Sequence, residues 1–122
     1  MIKQTKEEEG DSLKLNFDQI ETTCLPRFNG GEGKLLANLF TDARVKILRG
    51  RLEPGASIGF HCHATSCEVV YILDGSGKMI TEEGEERLTA GECHYCPLGA
   101  SHSLCNDSGA DLLFFAVVPQ QV

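Results

Sequence analysis

The stretch GASIGFHCHATSCEVVYILDG (55–75) decides how this chain is read. It follows Pro54 and has a glycine at each end, so turn signals bracket two short apolar segments. SIGFHCH (57–63) and CEVVYILD (67–74) have the length and β-branched content of strands. On a strand, His61 and His63 point their imidazoles to the same face. A hairpin through ATSC (64–67) would pair residue 63 with 68 and 61 with 70, setting Glu68 beside both histidines.

The same rhythm continues on either side. Upstream, SLKLNF (12–17) puts Leu13, Leu15 and Phe17 on one face of an expected strand, and NGGEG (29–33) is a loop. KLLANLF (34–40) is a short apolar run for which Asn38 and the nearby glycines favour strand over a helical turn. ARVKILRGRLE (43–53) runs to the stop at Pro54-Gly55. Downstream, GKMITEE (77–83) and EERLTA (85–90) flank Gly84 as a hairpin. ECHYC (92–96) ends at Pro97, and SHSLCN (101–106) precedes a polar turn and LLFFAVV (112–118). Nine or ten strands and no amphipathic helix predict an all-β sandwich or barrel.

The 122 residues and 13.3 kDa suit a flexible N-terminal segment over 1–11 and a single domain over 12–122. A formal net charge of −7 and the lack of a basic run argue against nucleic acid and anionic membrane as partners. No apolar run approaches the roughly 20 residues of a membrane span, and MIKQTKEEEGD has no apolar signal core. Six cysteines without such a signal read as reduced thiols, so a cytoplasmic location is expected.

Two spaced patterns carry a family resemblance. Gly55-x5-His61-x-His63-x4-Glu68-x6-Gly75 and Gly91-x5-Pro97-x-Gly99-x2-His102-x3-Asn106 match the two cupin motifs at all ten fixed positions. The chain resembles a small single-domain cupin over most of its length. The resemblance implies a double-stranded β-helix, a jelly-roll-like barrel. It also implies a divalent transition metal held by His61, His63, Glu68 and His102. Imidazole nitrogen and carboxylate oxygen suit Fe, Mn, Ni, Co, Cu or Zn. Four ligands leave about two positions open on a six-coordinate ion and none on a tetrahedral one. In a degenerate, metal-free cupin the same histidines would be core residues. Asn106 is expected to close a turn with its side chain rather than touch ligand.

His94 and Tyr95 are the candidate catalytic groups. His94 would be a substrate contact, a partner of a metal ligand, or a packing residue, depending on how its strand faces. Tyr95 and Phe60 also read as wall. Cys93 and Cys96 have zinc-knuckle spacing, but on a strand their thiols diverge; Cys62 points outward and Cys67 falls in the expected hairpin. Arg49 and Arg51 share one face, solvated or binding an anionic group.

The resemblance implies a metal-dependent enzyme of dioxygenase, isomerase or lyase type, acting on a small organic substrate. The surroundings of the site also resemble small cupins associated with sugar-phosphate isomerisation. An isomerase needs a general base, and only His94 and Tyr95 offer one. The alternative is a non-catalytic module that binds or stores a small ligand. A homodimer is expected as well, because CEVVYILD and LLFFAVV are apolar on both faces and one small barrel cannot cover both.

Overall fold

The computed structural model describes residues 13–122; the expected flexible segment 1–11 and Ser12 lie outside the described residues. The alternation of apolar and polar side chains is converted directly into sheet faces. Ten strands form: β1 (Thr22–Pro26), β2 (Lys34–Thr41), β3 (Val45–Leu52), β4 (His61–Cys62), β5 (Glu68–Asp74), β6 (Ser76–Thr81), β7 (Gly84–Thr89), β8 (Cys93–Cys96), β9 (Ser101–Cys105) and β10 (Leu112–Pro119). A six-stranded sheet runs β1-β2-β3-β10-β5-β8, and a four-stranded sheet runs β4-β9-β6-β7. All pairings between these strands are antiparallel. This is the double-stranded β-helix expected from the motifs. Among the described residues the helical content is a single 3-10 turn at Phe28–Gly30.

The core lies between the sheets, where Leu35, Leu52, Ile72, Met79, Leu112 and Phe114 are fully buried. Strand β5 shows the sorting: Val70 and Ile72 face in, and Tyr71 and Leu73 face out. Phe114 lies opposite Gly50 on β3, and a Cβ at that glycine would enter the phenyl ring. The glycine thus makes room for the largest core side chain.

Three expectations change. No strand forms in the described part of 12–17; Asn16 instead caps a turn, accepting from the Asp18 amide at 3.0 Å through Oδ1. Phe17 is used differently, meeting Phe115 edge-on with ring centroids 5.4 Å apart. The first strand is TTCLP (22–26), an edge strand without an apolar pattern. The segment 57–63 shortens to β4, although Ile58 still donates to the Leu104 carbonyl at 2.9 Å. Finally, ATSC is not a hairpin. β4 pairs with β9, His61 opposite His102, whereas β5 belongs to the other sheet beside β8 and β10. Residues 63–68 form a corner that carries the chain from one sheet to the other.

Asn106 is 1% exposed, and its Nδ2 donates to the carbonyls of Leu52 and Ala110, both at 2.8 Å. Its Oδ1 accepts from the Ser108 amide at 3.0 Å and hydroxyl at 2.8 Å. The side chain closes the turn before β10 and ties it to the end of β3. Asn106→Ala removes the side-chain donor from the buried Leu52 contact and from the Ala110 carbonyl, which keeps the Ser108 hydroxyl at 2.9 Å. It is expected to cost about 1–3 kcal/mol, read as a lower urea midpoint with an unchanged slope.

Candidate metal centre

His61 and His63 come from β4 and the residue after it. His102 comes from β9, beside them in the same sheet, and Glu68 reaches across from β5 in the facing sheet. The three imidazole rings lie 4.8 to 5.0 Å apart by centroid. Glu68 Oε1 is 2.9 Å from His63 Nε2 and 2.8 Å from His102 Nε2, and those two nitrogens are 3.0 Å apart.

Those edges test the fit to an ion. Two donors about 2.1 Å from an ion and at right angles stand about 3.0 Å apart, against about 3.4 Å in a tetrahedron. The observed edges of 2.8 to 3.0 Å are hydrogen-bond lengths and are close enough for one ion to reach all three donors. All four ligand atoms, with that of His61, fall in one cluster.

Each histidine is also oriented from behind. His61 Nδ1 is 2.7 Å from the Gly59 carbonyl and must donate to it, leaving Nε2 with its lone pair. His63 Nδ1 is 2.9 Å from Ser66 Oγ, and His102 Nδ1 is 3.1 Å from His94 Nε2. Outer partners of this kind fix tautomer and ring orientation in metal sites. Of the expected candidates, His94 is therefore a buried partner of His102, stacked on it with centroids 5.2 Å apart. Tyr95 lies on the outer face of β8, 59% exposed, and does not reach the cluster. Ser66 and the Gly59 carbonyl were not singled out from the sequence. A serine three residues after His63 in an expected turn carries no signal until the corner folds.

Burial opposes the charge on Glu68, but hydrogen bonds from His102 and His63 outweigh it and hold the carboxyl at about 2. Burial lowers His61 against the pull of the Gly59 carbonyl, and burial with the neighbouring His102 lowers His94. The cluster opens on a cavity of about 570 Å³ whose walls include Leu25, Phe28, Leu39 and Val118.

The remaining residues lie elsewhere. Arg49 is bound by Asp18 at 2.7 Å, Asn38 at 3.2 Å and the Phe17 carbonyl at 3.1 Å, and Arg51 pairs with Asp111 at 3.3 Å. Neither lines the cavity. Cys93 is exposed and Cys96 buried, so the two thiols diverge as expected, and all six cysteines are unpaired. No helix among the described residues is long and apolar enough to cross a membrane.

The cupin domain model matches residues 48–118. An oxalate-binding protein of Thermotoga maritima is 29% identical over 116 residues, covering 90% of this chain and 96% of that protein. The beta-alanine degradation protein BauB of Pseudomonas aeruginosa is 32% identical over 75 residues, covering 60% of this chain and 79% of BauB. Among solved structures, a predicted oxalate decarboxylase from Thermotoga maritima superposes with a TM-score of 0.83 at 26% identity, over 88% of this chain and 99% of that one. A cupin-superfamily sugar phosphate isomerase from Silicibacter pomeroyi gives 0.70 at 22% identity, over 88% of this chain and 76% of that one, a likeness of fold.

The shifts fix a direction for acid sensitivity. For His61 and His94 the folded values lie below the ordinary 6.5. Stability is therefore complete above 6.5 and declines as pH falls through it, because the unfolded chain binds protons that the folded chain refuses. Glu68 adds a second decline, from its ordinary 4.5 down to about 2. The melting temperature of chelator-treated protein is expected to fall steadily from pH 7 to pH 4. A flat profile across that range would contradict the assigned environments.

Proposed function

The chain belongs to the cupin family, and within it we propose that His61, His63, Glu68 and His102 hold one divalent transition metal at which a small chelating substrate is bound and transformed. The observation that carries this reading is the triangle of donors with edges of 2.8, 2.9 and 3.0 Å. Four protein donors leave about two positions open on a six-coordinate ion and none on a tetrahedral one. Fe, Mn, Ni, Co, Cu and Zn all suit this donor chemistry. When bound, the ion supplies Lewis-acid polarisation of a substrate oxygen.

The chain's own residues do the rest. Glu68 cancels one of the ion's two charges, and the outer partners keep all three Nε2 atoms aimed inward. The apolar part of the wall lowers the local dielectric and so strengthens electrostatic contacts at the site. Neither His94 nor Tyr95 lines the cavity. That favours dioxygenase or lyase chemistry over an isomerisation that needs a dedicated base. A second reading, a non-catalytic ligand-binding module, is supported by the relative named for oxalate binding. O2 uptake by Fe(II)-loaded protein over catechols, thiols and enols tests the dioxygenase reading against it. The six unpaired thiols suit a reducing compartment such as the cytoplasm.

The outer face of β5 and β8 leaves Tyr71 43%, Leu73 43% and Tyr95 59% exposed. Such a face fits a symmetric homodimer. Light scattering is expected to give about twice the 13.3 kDa of one chain; the mass of one chain would refute the dimer.

Elemental analysis of untagged protein is expected to find close to one equivalent of transition metal per chain. His102→Ala and Glu68→Gln should each lose more than the roughly 10–100-fold in affinity carried by outer partners. Less than about a tenth of an equivalent, with none taken up on adding Fe, Mn, Ni or Zn, would overturn the metal reading.

A further inference from the structure

We infer that the ligand of this site is a monoanionic chelator carrying an apolar tail, such as a 2-oxo carboxylate several carbons long, and not a two-carbon dianion. The inference rests on the metal reading above. Three observations lead to it.

The first is size. The cavity of about 570 Å³ would hold on the order of twenty waters. It lies within the roughly 300–1,000 Å³ of pockets that enclose drug-sized ligands. A dianion the size of oxalate would leave most of it empty or wet.

The second is the wall. Leu25, Phe28 and Leu39 pack against the core while keeping part of their surface open, and all three line the cavity. Phe28 belongs to the 3-10 turn, which is held against the other sheet by the Gly59 amide donating to the Phe28 carbonyl at 3.0 Å. Apolar surface kept in a fixed cavity gains most from an apolar group that fills it.

The third is charge. With neutral histidines, a divalent ion and Glu68 leave one net positive charge at the base of the cavity. Lys46 and Asp42 both line the cavity, and Asp42 Oδ1 also accepts from the amides of Arg44 and Val45. Apart from the histidines, no further cationic side chain lines the cavity among the described residues; Arg49 and Arg51 do not line it. A monoanion neutralises the site. A dianion leaves a net negative charge against apolar walls, which is costly.

The test is calorimetric titration of Co(II)-loaded protein, with loading verified by elemental analysis. One arm compares pyruvate, 2-oxopentanoate and 2-oxoheptanoate. Affinity is expected to rise about fourfold per added methylene, and Leu39→Thr should flatten that rise, with a larger loss for 2-oxoheptanoate than for pyruvate. The other arm compares oxalate with oxamate, which matches it in shape but carries one charge fewer. The protein is expected to narrow oxalate's advantage at least tenfold relative to free Co(II) in the same buffer. Loading followed by no gain with chain length, or by an undiminished preference for oxalate, overturns this inference alone. Failure to load Co(II) overturns the metal reading and this inference with it. The wild-type titrations decide the matter even if the Leu39 variant does not fold.

Discussion

The carboxylate of Glu68 sits between the sheets with its side chain 12% exposed, in contact with Nε2 of both His63 and His102. A carboxylate taken out of water costs several kcal/mol unless it is paired and hydrogen-bonded. That cost dictates where the neighbouring strands go. β5 can turn Glu68 inward only if the facing sheet presents donors at the same height, and β4 and β9 supply them as a registered pair, His61 opposite His102. The contact is therefore both the seam that joins the two sheets at this end of the barrel and the origin of the donor cluster. Stability and the proposed chemistry draw on the same atoms.

Rigidity around that seam comes from backbone rather than from side-chain bulk. Gly99 takes a φ of 86° and donates its amide to the His63 carbonyl at 2.7 Å, so the turn before β9 is stitched to the histidine strand. A Cβ at Gly59 would strike the backbone of Asn29. Only glycine lets the 3-10 turn lie this close, and that closeness carries Phe28 into the cavity wall. The motif glycine and a glycine outside the motif serve one end: they bring polypeptide backbones near enough to hold the site without filling it.

Much of this was legible in the sequence because the period of a strand is local. The parity of His61 and His63, the inward set Glu68, Val70 and Ile72, and the divergence of Cys93 and Cys96 each follow from alternation alone. The two spaced patterns supplied the fourth donor, His102, which no local rule connects to the first three. What stayed illegible depends on long-range pairing. Four residues between His63 and Glu68 suit a hairpin as well as a corner, and the corner wins because residues 61–63 bond to 99–102 instead. The same holds for β1, an edge strand whose TTCLP has no apolar rhythm, and for Phe17, whose alternation with Leu13 and Leu15 serves a turn capped by Asn16. The facing of His94 and Tyr95 depended on β8 staying regular up to Pro97, which it does.

His102 has two faces, and their surroundings favour one of them for the ligation proposed above. Its Nε2 meets Glu68 and His63; its Nδ1 meets His94, and behind His94 lies Cys96, so His94, Cys96 and His102 form a second cluster of possible donors. A proton can sit on only one nitrogen of a neutral imidazole. Burial pushes the Cys96 thiol up to about 11, so a cation at the rear cluster would have to displace its proton. Glu68, held at about 2, is fully ionised under the same conditions. Its carboxylate oxygen would draw a cation to the cavity side, where the ion would replace the Nε2 protons that bond Glu68 in the metal-free protein. The proton of His102 would then sit on Nδ1, facing His94 Nε2 at 3.1 Å. On that reading the rear cluster supports the front one.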